Sequence, residues 1–284
     1  MFADGRVLCD ELQMEIPSGF GLTFNRGAAE NFIDKCSASG RYGFSVDDAT
    51  RETGLGERSA KDQLRRLGKR VTRVSRWQSF FVIKGEGDVT FGGPRYDRWL
   101  DDYFAWLGHP YYVGLHSAAA IHGSQPQALQ IIQIVTDAPR RDVLLGRQRL
   151  RFFVKSRCNM AQVQDAPGAF APMKVSTPET TVFDLVRYAP RIGGIARVAE
   201  TIRPLLQLLK TASLKRVLEI EIEVATMQRL GFLFEKMERG SLASTLEKYL
   251  PDRPVWVPLG SGAKCESSAP RNERWRVVEN IETV

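Results

Sequence analysis

Nine lysines and arginines fall between residues 51 and 76 against three acids, and seven fall between 139 and 157 against one. Each stretch alone carries nearly the whole net charge of +7, so the remainder of the chain is slightly acidic. Cations concentrated in this way suit a polyanionic partner. In the first stretch the candidates are Arg58, Ser59, Lys61, Asp62, Arg65, Arg66 and Lys69, followed by Arg73 and Arg76. At about 100° per residue, a helix over 57–68 gathers Ala60, Leu64 and Leu67 on one side and sets Arg58, Asp62, Arg65 and Lys69 opposite, flanked by Lys61 and Arg66. The second stretch offers Arg140, Arg141, Arg147, Arg149, Arg151, Lys155 and Arg157. Strand alternation over 149–155 puts Leu150, Phe152 and Val154 on a core face and Arg149, Arg151 and Lys155 on a cationic one.

Catalytic and metal chemistry finds less support. Cys9, Cys36, Cys158 and Cys265 form no C-x-x-C pair, and His109, His116 and His122 stand at no ligand spacing, which predicts isolated thiols and structural histidines. Glu219, Glu221 and Glu223 are close in sequence but lack the Asp and Lys companions of a nuclease centre, and read as a solvated helix face. The 260–264 stretch Gly-Ser-Gly-Ala-Lys lacks the spacing and following helix of a phosphate cradle. No catalytic residue, metal or cofactor is expected.

The elements that position these cations begin after residues 1–24, an extension with no clear period that contains Pro17, Gly19 and Gly21. Apolar residues Ala28, Ala29, Phe32, Ile33 and Cys36 recur at helical spacing over 25–39. A short β-type run follows at 42–44, and Ser45 with Asp48 forms a capping box for a helix over 46–53. The turn at 54–56 leads to the basic helix, and 71–76 and 80–84 read as two strands joined around Trp77, Gln78 and Ser79. Alternation along 71–76 sends Arg73 and Arg76 to opposite faces. Helix, helix, glycine turn, basic helix and hairpin is the order of a winged helix-turn-helix. The glycine-rich stretch 84–94 reads as a linker, which divides the chain into a DNA-binding unit over 25–94 and a second domain over 95–284.

That second domain opens with a helix over 95–107, whose inner face is Trp99, Leu100, Tyr103, Phe104 and Leu107. A small-residue helix centred on 117–120 follows, then β-type runs at 130–136 and 149–155 across a turn-rich segment. Thr177 caps a helix with Pro178 at its first position, running to Tyr188. Further helices are expected over 193–209 and 242–250, with one or two between 213 and 238. The closing β-type runs are 255–259 and 275–278. The fold class is therefore α+β. With 43% hydrophobic residues, the 284-residue chain can bury a sizeable core. No run approaches the roughly 18 apolar residues of a membrane span, and Asp4, Asp10 and Glu11 stand where a signal peptide is basic then apolar, so a cytoplasmic protein is expected.

The stretch from Tyr111-Tyr112-Val113-Gly114-Leu115-His116-Ser117-Ala118-Ala119-Ala120-Ile121-His122-Gly123 to the basic run ending at Arg157 resembles the C-terminal domain of the AbiEi family, antitoxins and autoregulators of type IV toxin-antitoxin systems. The likeness continues at 174–188, at Gln228-Arg229-Leu230-Gly231-Phe232-Leu233-Phe234-Glu235 and at Arg274-Trp275-Arg276-Val277-Val278-Glu279-Asn280, spanning about residues 25 to 284. Gly56 stands where family members tend to start the recognition helix with Ser or Thr, and His116 where an apolar residue often precedes Ser-Ala-Ala. The resemblance implies a mixed α+β antitoxin domain behind a winged helix-turn-helix. It also implies two partners, operator DNA and a separately encoded AbiEii-type nucleotidyltransferase toxin, the latter without a necessary stable complex. Two rival readings are a stand-alone regulator whose second domain binds a ligand or dimerises, and a nucleic-acid-modifying enzyme.

Overall fold

The computed structural model describes residues 27–85, 87–88, 93–124, 131–260 and 269–281. The expected extension over 1–24, much of the 84–94 stretch and most of the 260–264 loop lie outside them.

Helix α1 (Ala28–Ala38) buries the five apolar residues its period marks. Strand β1 (Gly43–Ser45) runs directly into α2 (Val46–Thr53). The capping box forms there, with Ser45 Oγ accepting from Asp48 N at 3.1 Å and Asp48 Oδ2 accepting from Ser45 N at 2.9 Å. Helix α3 (Glu57–Arg66) turns Ala60 and Leu64 inward, and its Gln63 Oε1 accepts from Ala29 N at 3.2 Å, tying it to α1. Strands β2 (Val71–Arg73) and β3 (Phe80–Ile83) complete an antiparallel sheet of order β1-β3-β2. Phe32, Ile33, Phe44, Leu64, Val71 and Phe81 share the core between helices and sheet.

The helix expected over 95–107 is a single 3-10 turn, Tyr96–Arg98, followed by α4 (Leu100–Leu107). Its aromatic face lies against the hairpin: Phe80 meets Tyr103 at 5.3 Å between ring centroids, and Tyr103 OH donates to Gln78 Oε1 at 2.8 Å. Val74, Phe80 and Val82 consequently share one core with Trp99, Leu100 and Tyr103.

Strands β4 (Tyr111–Val113), β5 (Ile131–Thr136), β6 (Val143–Leu145), β7 (Gln148–Val154), β8 (Val163–Asp165) and β9 (Lys174–Ser176) form a six-stranded sheet of order β6-β7-β5-β4-β9-β8. Pairs β5–β7 and β4–β9 are parallel, the others antiparallel. Between β4 and β5 lies α5 (Leu115–Ile121), the small-residue helix. Both sheet faces are covered, as in sheets with parallel pairs generally. Val113, Ile134, Leu150 and Phe152 face α4, while Tyr112, Val135 and Phe153 face the helices beyond.

Those helices are α6 (Pro178–Arg187), capped by Thr177 with Pro178 at its start, α7 (Gly194–Leu205), α8 (Thr211–Leu218), α9 (Val224–Lys236) and α10 (Gly240–Glu247). Residues 213–238 thus hold two helices, broken around 219–223. A small sheet of β10 (Val257–Pro258), β12 (Val277–Val278) and β11 (Arg271–Asn272), in that order, closes the chain. It seats the buried Trp275 on α9 so closely that a Cβ at Gly231 would lie 2.1 Å from the indole. Gln228 Nε2 donates to Trp275 O at 2.9 Å, and Trp275 Nε1 to Glu235 Oε2 at 2.7 Å, so two of the separated sequence motifs meet in space.

Candidate functional site

Helix α3 presents its cations to solvent. Arg58, Ser59, Arg65, Arg66 and Lys69 are exposed, while Lys61 and Asp62 are half-buried. Lys61 pairs with Glu57, and Arg65 with Asp62 at 3.2 Å. Among the described residues Arg58, Arg66 and Lys69 make no ion pair, and their charge faces solvent. Arg65 and Arg66 sit in the last turn of α3, where the negative end of the helix dipole favours their charge.

Arg73 and Arg76 are both exposed. Alternation does not separate them, because β2 ends at Arg73 and Arg76 already belongs to the turn. Arg73 lies over the Phe81 ring at 5.6 Å, and Arg76 over the Trp77 ring at 4.5 Å.

The second basic stretch divides. Arg141, Arg147 and Arg149 are exposed, and Arg157 is exposed while donating to Ile220 O at 3.1 Å. Arg151 is half-buried and paired with Asp142 at 3.3 Å. Arg140 is half-buried above the Phe104 ring at 5.7 Å, with a buried Nε that has no hydrogen-bond partner among the described residues. A groove of about 690 Å³ brings Lys69 and Arg70, in the turn between α3 and β2, and Thr72 of β2 together with Leu145 and Gly146, which precede Arg147. The two basic stretches therefore border one groove.

Lys155 does not belong to this surface. It is 1% exposed, with Nζ 2.8 Å from Asp184 Oδ1 and paired also with Glu221. Tyr112 OH donates to Asp184 Oδ2 at 2.7 Å, and Arg187 reaches Glu221 at 3.5 Å and Glu223 at 3.2 Å. Burial lowers a lysine's pKa, but the Asp184 and Glu221 carboxylates outweigh it and hold the Lys155 ammonium above its usual value. Burial pushes the Glu221 carboxyl up against the pull of Lys155. The solvated-face reading of Glu219, Glu221 and Glu223 fails at Glu221 for the same reason. Val154, expected in the core, is instead 39% exposed, and Phe153 is buried in its place. The signal lay in the sequence: alternation places Phe153 between Arg151 and Lys155, so that face was already turning apolar. Two cations, Lys155 and Arg187, face three carboxylates, Asp184, Glu221 and Glu223, and the closed arrangement fits a structural knot.

Among the described residues no group of three or more His, Cys, Asp or Glu could hold a metal. Cys36 and Cys158 are buried free thiols, and burial pushes the Cys158 thiol up to about 12. His116 is buried between Ile192 O and Thr201 Oγ1, each at 3.2 Å, and His122 Nε2 lies 2.7 Å from Ser176 O.

The family model for the AbiEi antitoxin C-terminal domain matches residues 112–236. The chain carries an AbiEi antitoxin domain. The match runs from β4 to the end of α9, so the Tyr112, Lys155, Asp184 and Glu221 cluster falls inside the AbiEi domain, and the cations of α3 fall outside it. No curated protein matches the chain. The crystal structure of the RV2827C protein from Mycobacterium tuberculosis is similar over 88% of this chain and 90% of that one, with a TM-score of 0.61 at 14% identity. At that identity the likeness shows the fold, and it extends well beyond the AbiEi domain on both sides. Among the described residues no helix is long and apolar enough to cross a membrane.

Proposed function

We propose that the chain is an antitoxin that also represses its own operon by binding operator DNA, and that it opposes an AbiEii-type nucleotidyltransferase toxin. The antitoxin half of this reading rests on the AbiEi domain. The DNA-binding half rests on one observation: α3 buries Ala60 and Leu64 and leaves Arg58, Arg66 and Lys69 exposed without counter-ions among the described residues. Residues 27–85 act in this reading as a winged helix-turn-helix, with α3 in the major groove and the β2–β3 hairpin as the wing. Arg58 and Arg65 are the base-reading candidates; Ser59, Lys61, Arg66, Lys69, Arg73 and Arg76 meet phosphates, and Asp62 orients Arg65.

The division of labour places DNA binding before residue 95 and toxin opposition after it. Arg140, Arg141, Arg147, Arg149, Arg151 and Arg157 supply the second polyanion-facing surface, either extending the DNA contact across the groove or meeting RNA or the toxin. The protein works without catalysis, in the cytoplasm where toxin and operator are. Co-expression with an AbiEii-type nucleotidyltransferase toxin tests the antitoxin role: growth resumes if the reading holds, and arrest that persists with soluble, folded protein contradicts it.

A further inference from the structure

Stretches far apart in the chain meet at a small cavity on the far side of the Lys155 cluster. It holds about 230 Å³ between Arg187 at the end of α6, Gly194 and Ile195 at the start of α7, Arg229 of α9, and Gly260 and Ile281 of the closing segment. Asn280 braces that last wall, accepting from Gly260 N and donating to Gly260 O, each at 2.9 Å. The segments 174–188, 228–235 and 274–280 thus contribute Arg187, Arg229 and Asn280 to one place.

Arg229 is the group that packing alone does not explain. It is half-buried, its Nε donates to Pro258 O at 2.9 Å, and among the described residues it makes no ion pair. Burial holds its guanidinium below the usual arginine pKa against the pull of Glu223, as expected of a charge that has lost water without contacting a counter-ion. Arg187 differs, because its Nε meets Glu223 at 3.2 Å and its Nη1 meets Glu221 at 3.5 Å. Those carboxylates are therefore already engaged. The approach is cationic: residues 187–197 carry three arginines and no acid, and Arg191 and Arg197 are exposed with no ion pair among the described residues.

A guanidinium fork matches phosphate and carboxylate alike. Direction favours phosphate here. Arg229, Arg187 and the backbone N–H groups of Gly194 and Ile195, which no side chain caps, line different walls and suit oxygens that point several ways, not two in one plane. The volume lies below the roughly 300–1,000 Å³ of sites for drug-sized ligands, so the occupant is small. We propose that this cavity binds a phosphate group, free or as a monoester, with Arg229 as its principal contact. The site is independent of the operator and toxin readings above.

The test titrates the full chain calorimetrically with inorganic phosphate, AMP and acetate at constant ionic strength. Phosphate and AMP should bind saturably and acetate far more weakly; tighter AMP assigns the site to an ester, and equal affinities assign it to free phosphate. Arg229→Gln should weaken phosphate binding roughly tenfold or more, as loss of a charge-assisted hydrogen bond does, with little change in melting temperature in phosphate-free buffer. A second readout needs no variant: phosphate should protect Arg229 of the wild type from phenylglyoxal, mapped by mass spectrometry, and leave the exposed Arg253 reactive. Full phosphate affinity in folded Arg229→Gln, no saturable binding of phosphate or AMP, or equal reactivity of Arg229 with and without phosphate would each overturn the site.

Discussion

Lys155 Nζ lies 2.8 Å from Asp184 Oδ1, and neither side chain is more than 1% exposed. A buried ion costs several kcal/mol to desolvate, and only close partners return that cost. Glu221 and Tyr112 complete the set and tie β4, β7, α6 and the α8–α9 connection to one point. The AbiEi domain is thereby pinned at the C-terminal end of β7.

Lys155→Met should destabilise the protein by about 3–5 kcal/mol, because it strands two buried carboxyls. Since the folded pKa of Lys155 lies above the unfolded value, its contribution is fully present below about pH 10.4 and is lost as pH rises through the folded pKa. Urea unfolding should therefore show a wild-type advantage that shrinks only at strongly alkaline pH. A Met variant as stable as wild type at neutral pH would contradict the account.

His116 and His122 have pKa values lowered by burial. Their folded values lie below the unfolded value of about 6.5, so the stability they contribute is present above that pH and is lost as pH falls through the folded values. The melting temperature should drop between pH 7 and pH 5, and His116→Gln with His122→Gln should flatten that slope. An unchanged slope in the double variant would assign the acid response to other groups.

Arg149→Glu with Arg151→Glu should leave the fold intact, because Leu150, Phe152 and Phe153 hold β7 in the core from both faces. The double variant should lose toxin neutralisation or weaken DNA binding with a shallower salt dependence. Lys155 must stay untouched in that experiment, since its loss acts through stability. Normal neutralisation together with a wild-type salt slope would reduce the patch to solvated surface.

What the sequence revealed follows the strength of local signals. The Ser45–Asp48 capping box, the Thr177–Pro178 helix start and the Ala60–Leu64 face are short-range patterns, and each appears in the structure where its residues put it. Strands Tyr111–Val113, Val143–Leu145, Val163–Asp165 and Lys174–Ser176 have three residues each, too few to display a period, and exist because the sheet supplies their partners. Lys155 was misread for a related reason: alternation states which face a side chain occupies, not whether a distant helix covers that face. Asp184 and Glu221, 29 and 66 positions further along, become its partners only once α6 has packed on the sheet. Trp77 was visible as a turn residue, but its exposure depends on Phe80, not Trp77, filling the space against α4.

The claim that α3 reads operator DNA is tested most directly by the affinity of the full chain for duplex DNA from upstream of its own reading frame, measured against salt for wild type and for Arg58→Ala with Arg65→Ala. The account predicts specific binding by the wild type and a loss of roughly 1–3 kcal/mol for each arginine that contacts a guanine edge, with little change in binding to unrelated sequence. Unchanged affinity and specificity in the double variant, at unchanged melting temperature, would contradict it.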